Sequence, residues 1–342
     1  MKKTLCFILA ALMIVFLFAG CSKNSVKNKT STTLPSTNST TMNEKTEAEN
    51  DAENINQDEN NEDEPGTQDE QSATGLLKVH YINVGNGDSI LIQAPSGKTM
   101  LIDGGSNSSE GIVVEYLRGQ GIRKLDYIIV SHPHEENIGG IDAVIREFEV
   151  LNIYAPNIGS DTSAYEDFLL AVKEKKLKIQ SIKSGTGFDM GEDVAVSALS
   201  PISTNYNNLN NYSAVIKLVY RNTSFLFTGD AEEQLQKQIL SKGLDVSANV
   251  LKVSNQGGIN SVTPEFLSAV APIYAVISVG NNGSGRFPYV GTLNMLSGTG
   301  VEIYRTDVSG DIVAESDGDN ITFNAEPYKF VVQTPPPSEP YK

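Results

Sequence analysis

The sequence predicts an α+β fold in which two mixed β-sheets pack together and carry helices on their outer faces. Three observations support this prediction. Strand-like segments first follow one another as in a meander, strands then alternate with helical segments, and the same order occurs twice between residues 76 and 332. Strands that form hairpins and also alternate with helices are typical of mixed sheets.

The first half of this domain opens with three predicted strands, because apolar and β-branched residues alternate there between turn residues. Helices are predicted where apolar residues recur at helical spacing. The predicted strands are 77–84, 88–93, 99–105, 125–130, 150–156 and 177–182, and the predicted helices are 111–118, 138–148 and 165–176.

The second half repeats this order and ends in a hairpin, predicted for residues 310–324. The predicted strands are 195–201, 212–220, 223–230, 248–254 and 273–280, and the predicted helices are 231–243 and 263–270.

The N-terminal segment resembles a bacterial lipoprotein signal. Lys2 and Lys3 precede an apolar run that ends in Phe-Ala-Gly before Cys21. This run is short for a membrane span of about 20 residues. We therefore expect residues 1–21 to be a signal peptide with lipidation at Cys21, and an uncleaved anchor is the alternative. Both place the domain on the extracellular face of the cytoplasmic membrane, lipid-anchored in the first case.

Residues 22–75 are predicted to be a disordered tether, rich first in Ser, Thr and Asn and then in acidic residues. Such a composition cannot bury enough apolar surface to offset the entropy of ordering. The C-terminal residues 333–342 form a short Pro-rich tail. The folded domain is thus expected at 76–332.

The charge distribution argues against a broad nucleic-acid footprint. The net charge is −16; residues 1–72 hold six Lys and twelve acidic residues, which leaves −10 for residues 73–342. Nucleic-acid-binding domains usually carry a basic surface, although a local basic groove is compatible with this average.

A series of short motifs runs along residues 76 to about 315, in the order YINVGNGDSILIQ, TMLIDGG, LDYIIVSHPH, NIGGI, SFLFTGD, LKVSNQGG and IYAVISVGNN. Together these stretches resemble the extracellular metallo-β-lactamase-fold domain of ComEC-type competence proteins. The resemblance implies an αββα four-layer sandwich, a centre of one or two metal ions, and hydrolysis of phosphodiesters. Such hydrolysis at neutral pH requires a divalent metal that activates water.

The resemblance also implies a role for each site residue. His132 and His134 would bind the first metal, and Asp230 would bridge two metals. Asp88 and Asp103 would support the ligands as hydrogen-bond acceptors.

The positions of the second metal depart from the family pattern, which has HPHADHIGG and VGHHGS. Glu136 replaces the motif Asp, Asn137 replaces the motif His, and Asn255-Gln256 replace the His pair. An amide is a poor zinc ligand beside imidazole or carboxylate. The chain has only three His, and we expect the third, His80, to be structural. The sequence thus predicts that the two-metal hydrolase site is eroded.

Two interpretations of the remaining residues stay open. His132, His134, Glu136 and Asp230 could hold a single divalent ion, zinc or manganese, with Glu136 and Asp230 in catalytic roles. Alternatively, the two His only hydrogen-bond Asp230 or Asp103 and hold the loop.

The predicted function is that of a surface lipoprotein whose ComEC-like cleft binds a ligand without catalysis. The alternative is an active one-metal hydrolase of phosphodiesters in nucleic acid or wall polymer. The predicted contacts are the membrane, through the lipid anchor, and nucleic acid or a wall polymer. No protein partner follows from the residues.

Overall fold

A computed structural model of the protein describes residues 75–281 and 287–332. Its strands form two mixed sheets. The first has the strand order β15-β14-β1-β2-β3-β4-β5-β6. These strands are β1 (Leu77–Tyr81), β2 (Ile90–Gln93), β3 (Thr99–Ile102), β4 (Lys124–Ile129), β5 (Glu149–Ala155), β6 (Ile179–Ser181), β14 (Ile312–Ser316) and β15 (Ile321–Phe323).

The second sheet has the strand order β13-β12-β11-β10-β9-β8-β7. Its members are β7 (Gly187–Asp189), β8 (Val194–Ala198), β9 (Ile216–Tyr220), β10 (Thr223–Phe227), β11 (Val250–Lys252), β12 (Tyr274–Ile277) and β13 (Glu302–Arg305).

The helices cover the outer faces of the sheets or connect their strands. They are α1 (Glu110–Gly119), α2 (Glu135–Ile138), α3 (Ile141–Glu147), α4 (Ser163–Glu174), α5 (Glu233–Ser241), α6 (Pro264–Val270), α7 (Val290–Gly298) and α8 (Thr306–Ser309). Three short 3-10 turns lie at Asn107–Ser109, Leu209–Tyr212 and Asn255–Gly257.

The core has three layers because successive side chains of a strand point to opposite faces. In β10, Phe225 and Phe227 face the other sheet, whereas Leu226 faces the helices of the second half. Leu101 and Ile128 likewise pack against the helices of the first half. This arrangement confirms the predicted αββα sandwich.

The elements differ from the sequence prediction at several strand ends and in the shortest elements. The first strand ends at Tyr81 instead of residue 84, because the Val84 N–H turns back to the Ile82 carbonyl at 3.0 Å. The strands predicted at 212–220 and 223–230 are shorter, and the helix predicted at 138–148 covers Ile141–Glu147. The sequence did not predict α2, α7, α8, β7 or β13. Strands β7 and β13 are edge strands of three and four residues, and α7 has Gly near its start and as its last residue.

The topology brings distant segments to one edge of the sandwich. Strands β3 and β4 are parallel in the first sheet, and β10 and β11 are parallel in the second. The carboxyl ends of parallel strands share an edge, where ligands commonly bind in sheets of this kind. The segments that follow β4, β10 and β11 contain the residues singled out by the sequence.

The predicted signal peptide with Cys21, the tether from residue 22 to residue 74 and the tail 333–342 lie outside the described residues. Among residues 75–281 and 287–332, no helix has the length and apolar character needed to cross a bilayer.

Candidate metal centre

The His132–His134 motif lies on a tight loop between β4 and α2. Asp103, just after β3, fixes the start of this loop, since its Oδ1 accepts the Ser131 N–H at 2.7 Å. Asp103 has a φ of 60°, a left-handed conformation that few non-glycine residues adopt. Its own N–H donates to the Ile129 carbonyl at 2.9 Å. The adjacent strands therefore determine where the two imidazoles point.

Three predicted ligands converge in space. His132 Nε2 lies 3.0 Å from His134 Nδ1 and 3.4 Å from Asp230 Oδ2. The donor atoms of all three lie within 4.8 Å of one another. Ligands of a tetrahedral ion at about 2.1 Å are separated by about 3.4 Å. The triad therefore has the spacing of ligands that share one cation.

Asp230 reaches this position through the turn after β10. Its N–H donates to Ser213 Oγ at 3.0 Å. The preceding Gly229 has a φ of 50°, and a Cβ there would lie 3.0 Å from the Ser131 Cβ. The close packing of Gly229 against Ser131 holds the Asp230 loop beside the His loop.

The charges of the triad reinforce one another. Burial disfavours a charge on His132, but Asp230 and other nearby carboxylates outweigh it and raise its pKa. Burial likewise opposes ionisation of Asp230, yet His132 and Lys252 keep its pKa below the ordinary value. For His134, burial and the neighbouring His132 lower the pKa. An ionised Asp230 thus faces His132, where a cation would take the place of a proton, and the lowered pKa of His134 favours its neutral, ligating form.

Asn137, at the predicted position of a second-metal ligand, is fully buried and hydrogen-bonded. Its Oδ1 accepts the Asp88 N–H at 3.3 Å, and its Nδ2 lies 3.4 Å from both Ser131 Oγ and His132 Nδ1. This amide ties α2 to the loops on either side.

Asn255 also has a hydrogen-bonding role. Its Nδ2 donates to Glu232 Oε1 at 3.4 Å, and its N–H donates to the Gly229 carbonyl at 3.2 Å. Gln256 is buried, has a φ of 52°, and its Oε1 has no hydrogen-bond partner among the described residues. The structure thus places both residues beside the Asp230 loop.

Glu136, predicted as a ligand and catalytic residue, lies in α2 and outside the converging triad. Its side chain is half-buried, and its backbone carbonyl faces Gly87 so closely that a Cβ there would lie 1.8 Å from it. Its charge contributes to the raised pKa of His132. A ligand role for Glu136 stays a prediction.

Asp88 pairs with a lysine that the sequence analysis did not identify. Lys252 is fully buried at the end of β11, and its Nζ donates to Asp88 Oδ2 and to the Gly229 carbonyl. Burial raises the pKa of Asp88 to about 6, although Lys252 acts in the opposite direction. The sequence feature that could have identified this pair is a Lys inside the apolar run of a parallel strand, because a buried ammonium requires an acidic partner.

Two supporting carboxylates keep unused oxygens. Asp88 Oδ1 and Asp103 Oδ2 are buried without a hydrogen-bond partner among the described residues. Burial, and next the charge of Asp88, raise the pKa of Asp103 to about 7. The remaining His, His80, contacts Tyr116 at 2.9 Å and Gln93 at 2.8 Å and packs as a structural residue.

These residues fit one divalent cation at His132, His134 and Asp230, which supply two imidazoles and one carboxylate. They do not fit a second one, because two of its predicted ligand positions hold neutral amides instead of a carboxylate or an imidazole, and Asp88 is bound by an ammonium. A bound cation would supply Lewis acidity at this site.

Comparisons with known proteins identify relatives of this chain. The chain is 27% identical to the "ComE operon protein 3" of Bacillus subtilis (strain 168) over 252 residues, which cover 69% of this chain and 32% of that protein. It is 26% identical to the "Competence protein ComA" of Neisseria gonorrhoeae over 229 residues, 67% of this chain and 30% of that protein.

The chain therefore matches about a third of the length of these relatives. Among solved structures, the metallo-beta-lactamase fold protein YhfI from Bacillus subtilis covers 71% of this chain and 100% of its own. Its TM-score is 0.49 at 14% identity. The model of the metallo-beta-lactamase superfamily matches residues 82–280. This match spans more than half of the chain, which thus belongs to the metallo-beta-lactamase superfamily and carries a domain homologous to those of ComEC-type competence proteins.

Proposed function

We propose that this protein is a lipid-anchored protein of the cell envelope that holds one divalent cation and binds a phosphodiester polymer in its cleft. In this proposal the two-metal hydrolysis of the family is lost. The convergence of His132, His134 and Asp230 at ligand spacing is the observation that carries it.

The altered positions support the loss of the second metal. Asn137 and Asn255 are neutral amides engaged in hydrogen bonds, and neither supplies the negative charge or the imidazole nitrogen of the ligand that it replaces. Lys252 brings a positive charge to Asp88. A second cation beside this ammonium would meet like-charge repulsion inside a buried site, where screening is weak.

The charge of the metal centre supports a phosphodiester ligand, and the competence relatives support a location in the cell envelope. A divalent cation on two imidazoles and one carboxylate keeps net positive charge, which attracts a phosphate oxygen. Nucleic acid and anionic wall polymers both supply phosphodiesters. The competence relatives favour an envelope role, and Cys21 would provide the lipid anchor that holds the domain at the membrane. Zinc and manganese are the candidate ions.

A second candidate is hydrolysis at the single metal, which the compact triad and the nearby half-buried Glu136 favour. Here Asp230 would hold and orient the cation, and Glu136 would move a proton at the mouth of the cleft.

The test measures metal content first. The purified chain is dialysed against excess Zn²⁺ or Mn²⁺, and bound metal is determined by elemental analysis. One equivalent that disappears in His132→Ala supports the proposal, whereas two equivalents, or less than about a tenth of one, contradict it.

The second measurement separates the two candidates. The metal-loaded chain is titrated with labelled oligonucleotide and with wall polymer, and cleavage of each is followed. Binding without cleavage supports the first candidate. Cleavage that disappears in Glu136→Gln supports the second. Conversion of Asn137 and Asn255 to His tests the lost site, since a second equivalent of metal should then appear.

A further inference from the structure

We infer that the side-chain oxygen of Asn210 is a fourth ligand of the cation held by His132, His134 and Asp230. This inference rests on the proposed single-metal site and specifies its composition. Asn210 belongs to the 3-10 turn Leu209–Tyr212. The sequence did not identify any residue of this turn as a metal ligand.

The turn that carries Asn210 is attached to both ligand loops. Ser213, directly after the turn, receives the Asp230 N–H at its Oγ, 3.0 Å away. The next residue, Ala214, donates its N–H to the Ser131 carbonyl at 2.9 Å. The chain is therefore fixed to the Asp230 loop three residues after Asn210, and to the His132 loop four residues after it.

The amide of Asn210 is fixed in one orientation. Its Nδ2 donates to Glu232 Oε1 at 2.8 Å, and its backbone N–H donates to Asn208 Oδ1 at 3.0 Å. Because a carboxylate only accepts hydrogen bonds, the nitrogen must face Glu232. The side-chain oxygen consequently points away from Glu232.

That oxygen has no hydrogen bond in the described residues, although Asn210 is only 9% exposed. A buried carbonyl oxygen without a partner costs about 1–3 kcal/mol, so native structures rarely leave one unused. The side chain of Asn210 also reaches the His134 ring and acts to raise its pKa, as an oxygen that faces a protonated imidazole does. The oxygen of Asn210 therefore faces a predicted ligand without a hydrogen bond of full geometry, and a cation at the triad would give it a partner.

The chemistry of the resulting set is specific. Two imidazoles, one carboxylate and one amide oxygen form a mixed nitrogen and oxygen site with a single negative charge. Amide oxygen is a hard donor, which suits Mn²⁺ better than zinc. Glu232 is then a positioning residue, because it orients Asn210 without contacting the cation.

The neighbouring Asn211 provides a matched control. It is buried in the same turn, but its Oδ1 accepts the Leu235 N–H at 3.1 Å and so faces α5. Asn211→Ala should therefore disturb the turn as much as Asn210→Ala without removing a ligand.

The experiment measures Mn²⁺ affinity of the full chain by calorimetry, and the visible spectrum of the Co²⁺-loaded protein reports the donor set. Asn210→Ala should weaken Mn²⁺ binding by at least about 10-fold and shift the Co²⁺ bands. Asn210→Asp keeps an oxygen at this position and should bind Mn²⁺ at least as tightly as the parent. Asn211→Ala should leave both measurements unchanged.

Each other outcome overturns the inference. If Asn210→Ala binds Mn²⁺ within about 3-fold of the parent and leaves the Co²⁺ spectrum unaltered, Asn210 is no ligand. The same holds if Asn211→Ala weakens binding equally, because the effect would then belong to the turn. If Asn210→Ala does not fold, the spectrum of Asn210→Asp decides, since an unchanged spectrum and affinity there also argue against a ligand. A parent protein that binds no metal would refute the proposed function itself, which the first titration distinguishes.

Discussion

Two corners of the same site differ in the residues that they hold at predicted metal-ligand positions. In one corner, His132, His134 and Asp230 keep both the residue types and the spacing of ligands. In the other, Asn137 and Asn255 occupy ligand positions, and each makes hydrogen bonds to neighbouring loops. The residues of the first corner suit a cation, and those of the second corner hydrogen-bond to other residues of the same chain.

The comparison indicates a structural role for the amides at two predicted ligand positions. Asn137 is fully buried and joins α2 to the Asp88 backbone. Lys252 adds a fixed positive charge near Asp88 and the Gly229 carbonyl. The second corner should therefore contribute to folding stability, and the first should contribute to metal affinity.

The largest effect is expected at Lys252. Lys252→Met leaves Asp88 as a buried carboxylate without its ion partner, and breaking such a pair from one side costs about 3–5 kcal/mol. The free energy of unfolding in urea measures this loss. Adding Asp88→Asn to Lys252→Met should recover much of it, because the uncompensated charge is removed. An equally unstable double variant would contradict the ion-pair explanation.

The next effect concerns the retained corner. His132→Ala removes a ligand of the triad and should weaken Zn²⁺ or Mn²⁺ binding by at least about 100-fold, which is more than the loss of a supporting contact causes. Calorimetric titration of both proteins measures it. His80→Ala is the control, since His80 is equally buried but contacts Tyr116 and Gln93 instead. If the His132 variant and the parent bind metal with equal affinity, this corner does not hold the metal centre.

A smaller effect is expected at Asn137. Asn137→Ala leaves the Asp88 N–H without its acceptor in a buried site, which costs about 1–3 kcal/mol in the free energy of unfolding. Asn205→Ala, on an exposed position of the loop before Leu209, should change stability by about 0.5 kcal/mol or less. If the two variants are equally stable, Asn137 has no structural role, and the two corners differ less than the hydrogen bonds indicate.

The sequence predicted the two corners unequally well, for physical reasons. His132 and His134 belong to one short motif after a strand, and Asp230 belongs to another short motif after β10, so the family resemblance could name all three from local sequence. Lys252 and Asp88 are 164 residues apart, and only the packing of both sheets brings them together. Asn210 lies in a turn without periodicity, and its role depends on Glu232 from a different loop. The layers of the fold were predictable because alternation and helical spacing are local, whereas the short edge strands β7 and β13 carry too few residues to show a pattern.

The smallest effect is a pH dependence of the metal-free protein, measured in a chelator. Burial raises the pKa of Asp103 to about 7 and that of Asp88 to about 6, and Asp230 raises the pKa of His132 despite its burial. Each group binds protons more tightly in the folded state than in the unfolded chain. These three groups therefore take up protons on folding between about pH 4 and pH 7 and favour the folded state as the pH falls through this range. His134 and His80, whose pKa burial lowers, act in the opposite direction below about pH 6.5.

The contribution of Asp103 is expected to be about 1 kcal/mol in the free energy of unfolding between pH 7.5 and pH 5.5, of the order that one coupled proton allows, and the difference between the parent and Asp103→Asn measures it. Asp103→Asn should flatten this dependence, because the amide oxygen still accepts the Ser131 N–H but no longer titrates. Metal should reverse the trend, since a cation competes with protons for His132 and Asp230 and binds more tightly as the pH rises. If the metal-free protein instead becomes steadily more stable up to pH 8, the buried carboxylates are ionised in the folded state, and the retained corner already carries the negative charge that a cation would meet.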